Sequence, residues 1–247
     1  MHPHRCPACF GSRLPLSALA IGVLFCITAT AWAGEVSSTF FAIEVESDLG
    51  SESWSIASDD VDYDPLTQTW HWEGTGIVLG EVATLEQAFL TVVGDPQIAL
   101  GFAIAAGEAD TTVTITSTIL SFDPLVNPDG AASAGVTLTE AGNNPPATLV
   151  GLAGDLGSVY AAYYNVAPGT VFAEFVSGLT TTTTTSESGN TGGWVLIPDT
   201  VSNMQVQYSF TLSAGDLASS TGNYLIVPEP AGLAMLALGA VVLLRRR

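Results

Sequence analysis

Thr111-Thr112-Val113-Thr114-Ile115-Thr116-Ser117-Thr118-Ile119-Leu120 is a run of Thr, Ile and Val broken only by one Ser and one Leu. Side chains branched at Cβ are stiff in helices and pack well on a pleated surface, so this run predicts a strand. The stretches around it read the same way. Upstream, Thr39–Glu46 alternates apolar and polar from Ala42 onward, and Ser53–Ser58 repeats the alternation. Ala88–Val93 and Gln97–Ala105 are separated by Gly94-Asp95-Pro96, a turn sequence. Downstream, Gly135–Thr139, Val159–Tyr164, Thr170–Val176, Trp194–Ile197, Val206–Leu212 and Tyr224–Val227 are further candidate strands.

Asp62–Glu73 predicts a hairpin. Asp64 initiates the turn, Pro65 supplies its fixed φ, and Trp70 and Trp72 share one face of the return strand. Ala83–Leu90 and Ala214–Ser219 each predict about one turn of helix. Thr180–Thr185, followed by Ser186–Gly193, is a low-complexity stretch expected to project from the sheet as a loop, with O-glycosylation of Thr180–Thr185 left open. About ten to twelve short strands, with no alternation of strand and helix, predict an all-β antiparallel sandwich. A jelly roll is the expected form and a barrel the second.

Charge narrows the function. All five Arg and Lys are arginines at the two ends, in positions 5, 13 and 245–247. Of the 24 acidic residues, 23 lie between positions 34 and 227, where His71 is the one side chain able to carry positive charge. This polyanionic body repels nucleic acid and anionic lipid. It suits divalent cations, basic partners or salty surroundings, and its acidity also serves solubility. The body has no Cys, so packing alone must hold the core.

The residues point away from catalysis. A Ser nucleophile needs a base, and His71 is the sole histidine of the body. Ala131–Gly135 centres on Ser133 but lacks the first Gly of a nucleophile elbow, and His71 precedes it. Lys is absent, and with it Schiff-base chemistry. A pair of acids could support glycoside hydrolysis, but no spacing singles out a pair. Two binding readings remain. Asp60, Asp62 and Asp64 resemble the opening of a calcium loop, with Glu73 placed nearby across the hairpin. Pro65 and His71 occupy the Gly and Glu positions of an EF-hand, so that loop type fails. The alternative is a hydrated acidic strand end. Trp54, Trp70, Trp72, Trp194, Tyr163 and Tyr164 either line a sugar-stacking platform or fill the core. Trp70 and Trp72 are the platform's first candidates, and a calcium-dependent carbohydrate-binding module would use both sets.

The two ends carry addresses. Residues 1–33 have Arg5 and Arg13, an apolar stretch Leu14–Ala29, and Ala31-Trp32-Ala33 before Gly34. That is the layout of a signal peptide cleaved by signal peptidase after Ala33. Cys6-Pro7-Ala8-Cys9 falls inside this removable segment and is discounted. At the other end, Pro228-Glu229-Pro230 precedes the apolar run Ala231–Leu244 and a basic stop, Arg245-Arg246-Arg247. The two prolines keep the tripeptide extended. The apolar run, as a helix, spans only about 21 Å of a hydrocarbon core about 30 Å thick, so it needs local thinning or snorkelling arginines. The order of the three parts, over residues 227–247, resembles the PEP-CTERM sorting segment of exported bacterial proteins. The resemblance implies recognition of the tripeptide by an exosortase and a transient inner-membrane anchor. It then implies delivery to the cell surface or medium, often in association with exopolysaccharide. The expected organisation is therefore a signal peptide 1–33, a sandwich body 34–226 and a sorting segment 227–247, with no enzymatic activity.

Overall fold

The computed structural model describes residues 34–142, 144–166 and 169–228. The expected signal peptide and the tail from Glu229 onward, including the basic stop, lie outside the described residues. The strands are β1 (Glu35–Val36), β2 (Thr39–Ser47), β3 (Gly50–Ala57), β4 (Asp62–Asp64), β5 (Thr69–Leu79) and β6 (Ala83–Val93). Next come β7 (Gln97–Ala106), β8 (Thr111–Ser117), β9 (Leu120–Val126), β10 (Asp129–Thr139), β11 (Ala147–Gly151) and β12 (Tyr160–Tyr164). The series ends with β13 (Thr170–Phe175), β14 (Gly178–Thr181), β15 (Thr184–Asn190), β16 (Val195–Leu196), β17 (Thr200–Leu212) and β18 (Leu217–Val227).

They form two antiparallel sheets facing each other across one core, the all-β sandwich expected. Sheet I runs β1-β9-β17-β8-β2-β3, with β11 and β12 also paired to β17 and carrying β14 and β13. Sheet II runs β15-β10-β18-β7-β6-β5-β4, with β16 also paired to β10. The long strand β17 is the hub of sheet I. Tyr208 pairs with Ile115 of β8 and with Tyr160 of β12, so β17 has neighbours on both edges. The chain crosses between the sheets at β3–β4, β7–β8, β9–β10, β10–β11, β14–β15, β16–β17 and β17–β18, not at every connection. Strands β4 to β7 stay neighbours within sheet II.

The alternation in Thr111–Ser117 explains why it is a strand. Val113 and Ile115 are fully buried, while Thr112, Thr114 and Thr116 face outward and are half-buried. Large side chains of sheet I meet small ones of sheet II. A Cβ on Gly222 would strike the Tyr208 hydroxyl and the Tyr160 ring; one on Gly130 would strike Phe172, and one on Gly189 would strike Phe175. Phe102 of sheet II fills the same seam, 5.0 Å from the Tyr208 ring and 5.8 Å from the Phe210 ring. This interdigitation excludes voids, and a protein interior gains its dispersion energy that way.

Three local expectations are corrected. Ala83–Leu90 is strand. Its register shifts between Leu85 and Gln87, so buried Leu85 and Ala88 fall three residues apart and imitate a helical period. Thr184–Asn190 does not project as a loop; it pairs along β10 from Thr139↔Thr184 to Ser133↔Asn190. Thr and Ser tolerate an edge position whose outward face is solvated. Leu217–Ser219 opens β18, and Ser213–Asp216 forms the turn that carries the chain from sheet I to sheet II. Gly215 adopts φ +73° there, a conformation costly for other residues. Buried Asp216 holds the corner: its carboxylate accepts from the amides of Ala141 (3.1 Å) and Gly142 (3.2 Å) and from the Ser213 hydroxyl.

Burial pushes the phenols of Tyr160, Tyr208 and Tyr224 above their ordinary value near 10; neighbouring phenols add to the rise at Tyr160 and Tyr224. At Tyr208 the adjacent Ser220 hydroxyl opposes the shift. Ser220 donates instead to the Gly135 carbonyl (2.8 Å), and the hydroxyls of Tyr208 and Tyr224 have no hydrogen-bond partner among the described residues. The unfolded chain ionises these phenols from about pH 10, whereas the folded chain holds them neutral. Their contribution to stability is complete below about pH 10 and is lost as pH rises beyond it. Urea titrations should show stability falling above pH 10 by about 1.4 kcal/mol per pH unit for each phenol that ionises only on unfolding. Tyr208→Phe should reduce that slope and leave neutral-pH stability unchanged or higher, since it removes an unpaired buried hydroxyl.

Candidate functional site

The acidic hairpin folds as expected but does not gather its carboxylates. Ser58–Asp60 forms one turn of 3-10 helix, and Asp62 and Asp64 lie on exposed β4, opposite His71 and Thr69. The Asp64 carboxylate caps its own turn, accepting from the Leu66 amide (2.8 Å) and the Thr67 hydroxyl (2.9 Å). The Leu66 amide and then the Thr67 hydroxyl hold its pKa below the ordinary carboxylate value. Glu73 lies beyond the end of β4 and accepts from Gln87 of β6 (3.0 Å). Among the described residues, no three His, Cys, Asp or Glu side chains come together in a way that could hold a metal ion. The alternation of Asp60, Asp62 and Asp64 in sequence therefore does not become a cluster in space.

The aromatic residues also disperse. Trp72 and Trp54 face each other from the inner sides of the two sheets, 5.3 Å apart, and Phe41 lies 4.9 Å from Trp72. The three close one open edge of the sandwich and pack on the core. Trp70 stacks on Tyr63 at 4.6 Å, and Tyr63 remains half exposed. Trp194 is exposed at another edge, next to β16. Ser133 and His71 occupy the same outward row of sheet II. Four inter-strand steps separate them, roughly 19 Å, far beyond proton-transfer reach.

What the pairing does assemble is the outer face of sheet I. Register aligns Ser53, Glu44, Thr114 and Ser209 in one row, and Ser51, Glu46, Thr112 and Thr211 in the next. The hydroxyls of Thr114 and Ser209 approach to 3.1 Å, and those of Thr112 and Thr211 to 3.4 Å. A shallow groove of about 430 Å³ lies over Glu44, Glu46, Ser51, Ser53, Thr112 and Thr114. The adjoining row brings Thr116 beside Gln207, and there a second hollow of about 230 Å³ includes Tyr163 and Gln205. The Tyr163 hydroxyl donates to the Gln207 side-chain oxygen (3.1 Å) and accepts from the Gly154 amide (3.1 Å). Burial raises its pKa, the Gly154 amide opposes the rise, and Glu174 and Asp155 add to it.

The face is therefore a two-dimensional array of hydroxyls, carboxylates and amides with an aromatic ring at one side. Its spacing is that of a sheet, about 4.8 Å across strands and about 6.8 Å along them. Such an array can exchange hydrogen bonds with a polyhydroxyl ligand over many small contacts. The outward Thr residues of β8 were visible in the sequence as a Thr-rich run. Their alignment with Glu44 on one side and Ser209 on the other was not, because it depends on pairing between residues about 70 and 95 positions apart.

Compared with known proteins, the chain matches no family model and no curated sequence.

The dispersal of Asp60, Asp62 and Asp64 has a thermal consequence. Millimolar calcium should shift the melting temperature no further than magnesium at equal ionic strength. A preformed calcium site, filled a hundredfold above its dissociation constant, would add about 2.7 kcal/mol and separate the two ions clearly.

Proposed function

We propose that this chain is an exported, non-catalytic surface or matrix protein whose sandwich presents the outer face of sheet I to polysaccharide. Signal peptidase removes residues 1–33, and the apolar run Ala231–Leu244 with Arg245-Arg246-Arg247 anchors the chain transiently in the inner membrane. An exosortase-type enzyme then acts at Pro228-Glu229-Pro230 and passes the body to the cell surface or medium. The observation that carries the binding reading is the aligned double row of Ser, Glu, Thr and hydroxyl partners across β3, β2, β8 and β17. Four strands of rigid scaffold hold these groups, so little conformational entropy opposes contact with an extended glycan. The face has carboxylates and no cation, which favours neutral over acidic polysaccharide.

Affinity electrophoresis in gels containing a neutral exopolysaccharide should retard the protein, and a uronic-acid polymer should retard it less. Thr114→Val with Glu44→Leu should abolish the retardation while the protein stays folded. Equal mobility of variant and parent would remove the face from the proposal. Sorting has a separate readout in the C-terminal mass of protein recovered from the producing cells. A form lacking Leu233–Arg247 is expected with the intact tripeptide and absent after Pro228→Ala with Pro230→Ala. A full-length tail in both cases would leave a plain membrane anchor.

A further inference from the structure

The described residues end at Val227 and Pro228, on a rim where β16 and the end of β9 expose apolar side chains. Asp129, the first residue of β10, pairs with Val227 of β18 on one edge and with Leu196 of β16 on the other. Leu196 and Val227 are thus two strand spacings apart, roughly 10 Å. Around this point Trp194, Val195 and Leu196 are 55%, 43% and 52% exposed, and Val126 is 68% exposed. They are held outward. Ile197 is buried, its amide donates to the Pro128 carbonyl (2.8 Å), and the Asn127 amide donates to the Asp199 carbonyl (2.9 Å). An outward-facing Trp beside two aliphatic residues on a pinned segment is the composition that settles at the boundary between lipid chains and headgroups.

The length of the connection decides what meets this rim. Between Val227 and the apolar run beginning at Ala231 lie only Pro228, Glu229 and Pro230, which reach about 10 Å when extended. If the run enters a bilayer, the rim cannot stand farther than about that distance from the surface. From this we infer that Trp194, Val195, Leu196 and Val126 form a membrane-docking tip that rests on the bilayer while the tail is anchored. The inference rests on the anchoring proposed above. Asp95, Asp129 and Asp199 belong to the same end: the Ile226 amide donates to Pro96, next to Asp95, at 3.0 Å. With no cation among them, the contact is apolar and prefers zwitterionic to anionic lipid. Docking would also fix the orientation of the sandwich over the membrane and so the approach of a processing enzyme to Pro228-Glu229-Pro230.

The full chain, reconstituted into phosphatidylcholine vesicles with and without brominated acyl chains, tests this through tryptophan quenching. Trp194→Phe isolates the signal of that residue from the other tryptophans. The parent should co-float with the vesicles and show bromolipid quenching that Trp194→Phe loses. Val195→Ser with Leu196→Ser, both exposed, should keep the melting temperature and reduce the Trp194 quenching at least twofold. Adding phosphatidylglycerol should weaken it further. Co-flotation with equal quenching in parent and Trp194→Phe would overturn the docking tip and leave the anchor standing. Stronger Trp194 quenching with phosphatidylglycerol would also overturn the apolar contact. Failure of either protein to float would overturn the anchor, and the docking tip with it.

Discussion

Apolar packing between the two sheets carries this fold without help. The body has no Lys, no Arg and no Cys, so neither disulfides nor Lys or Arg ion pairs can tie sheet I to sheet II. Cohesion across the core must come from burial and shape. The answer in the structure is asymmetric: Tyr160, Tyr208, Phe172 and Phe175 project from sheet I onto Gly222, Gly130 and Gly189 of sheet II. Each glycine lets a ring approach the opposing backbone where any side chain would collide. The arrangement has a cost, since the hydroxyls of Tyr208 and Tyr224 are buried without partners among the described residues.

Once the inner faces are committed to packing, polar function is left to the edges, corners and outer faces. Acidic residues do several jobs there. Asp216 ties the amides of Ala141 and Gly142 to the turn that joins the sheets, and Asp64 caps the hairpin turn. Glu52 and Glu187 sit at core-facing register positions on the edge strands β3 and β15, opposite Val45 and Val136. Inward charges at sheet edges discourage pairing with another chain. That protection matters for a protein with long edges and no Lys or Arg in its body. Glu44 and Glu46, by contrast, face outward into the hydroxyl rows of sheet I.

The outer face of sheet I and the rim near Val227 divide the surface by chemistry. The first is polar and built across four strands; the second is apolar and lies beside the end of β18. Under the function proposed above, the first would meet the final partner and the second the membrane during transit. Rigid strands present each of them, so neither depends on ordering a loop at the moment of contact.

Strand content, the sandwich class and the Asp64 hairpin were legible because they follow from local rules: alternation, β-branched composition and turn residues. The export and sorting expectations likewise come from contiguous segments, and they remain readings of sequence. Ala83–Leu90 misled because a bulge moves the buried positions by one residue, and nothing local marks a bulge. Thr184–Asn190 misled because a polar strand at a sheet edge has the composition of a loop. The grouping of residues lay beyond local rules altogether. Asp60, Asp62 and Asp64 are neighbours in sequence yet disperse, since the hairpin turn consumes the Asp64 carboxylate, Asp60 lies in a separate 3-10 turn and Asp62 faces solvent from β4. Glu44, Thr114 and Ser209 are far apart in sequence yet align, since antiparallel register is set by long-range pairing. The sequence by itself determined which residues could be strands and how charge is apportioned between body and ends. Tertiary structure alone decided which side chains share a face, because that depends on register, and register is fixed by the packing of the whole core.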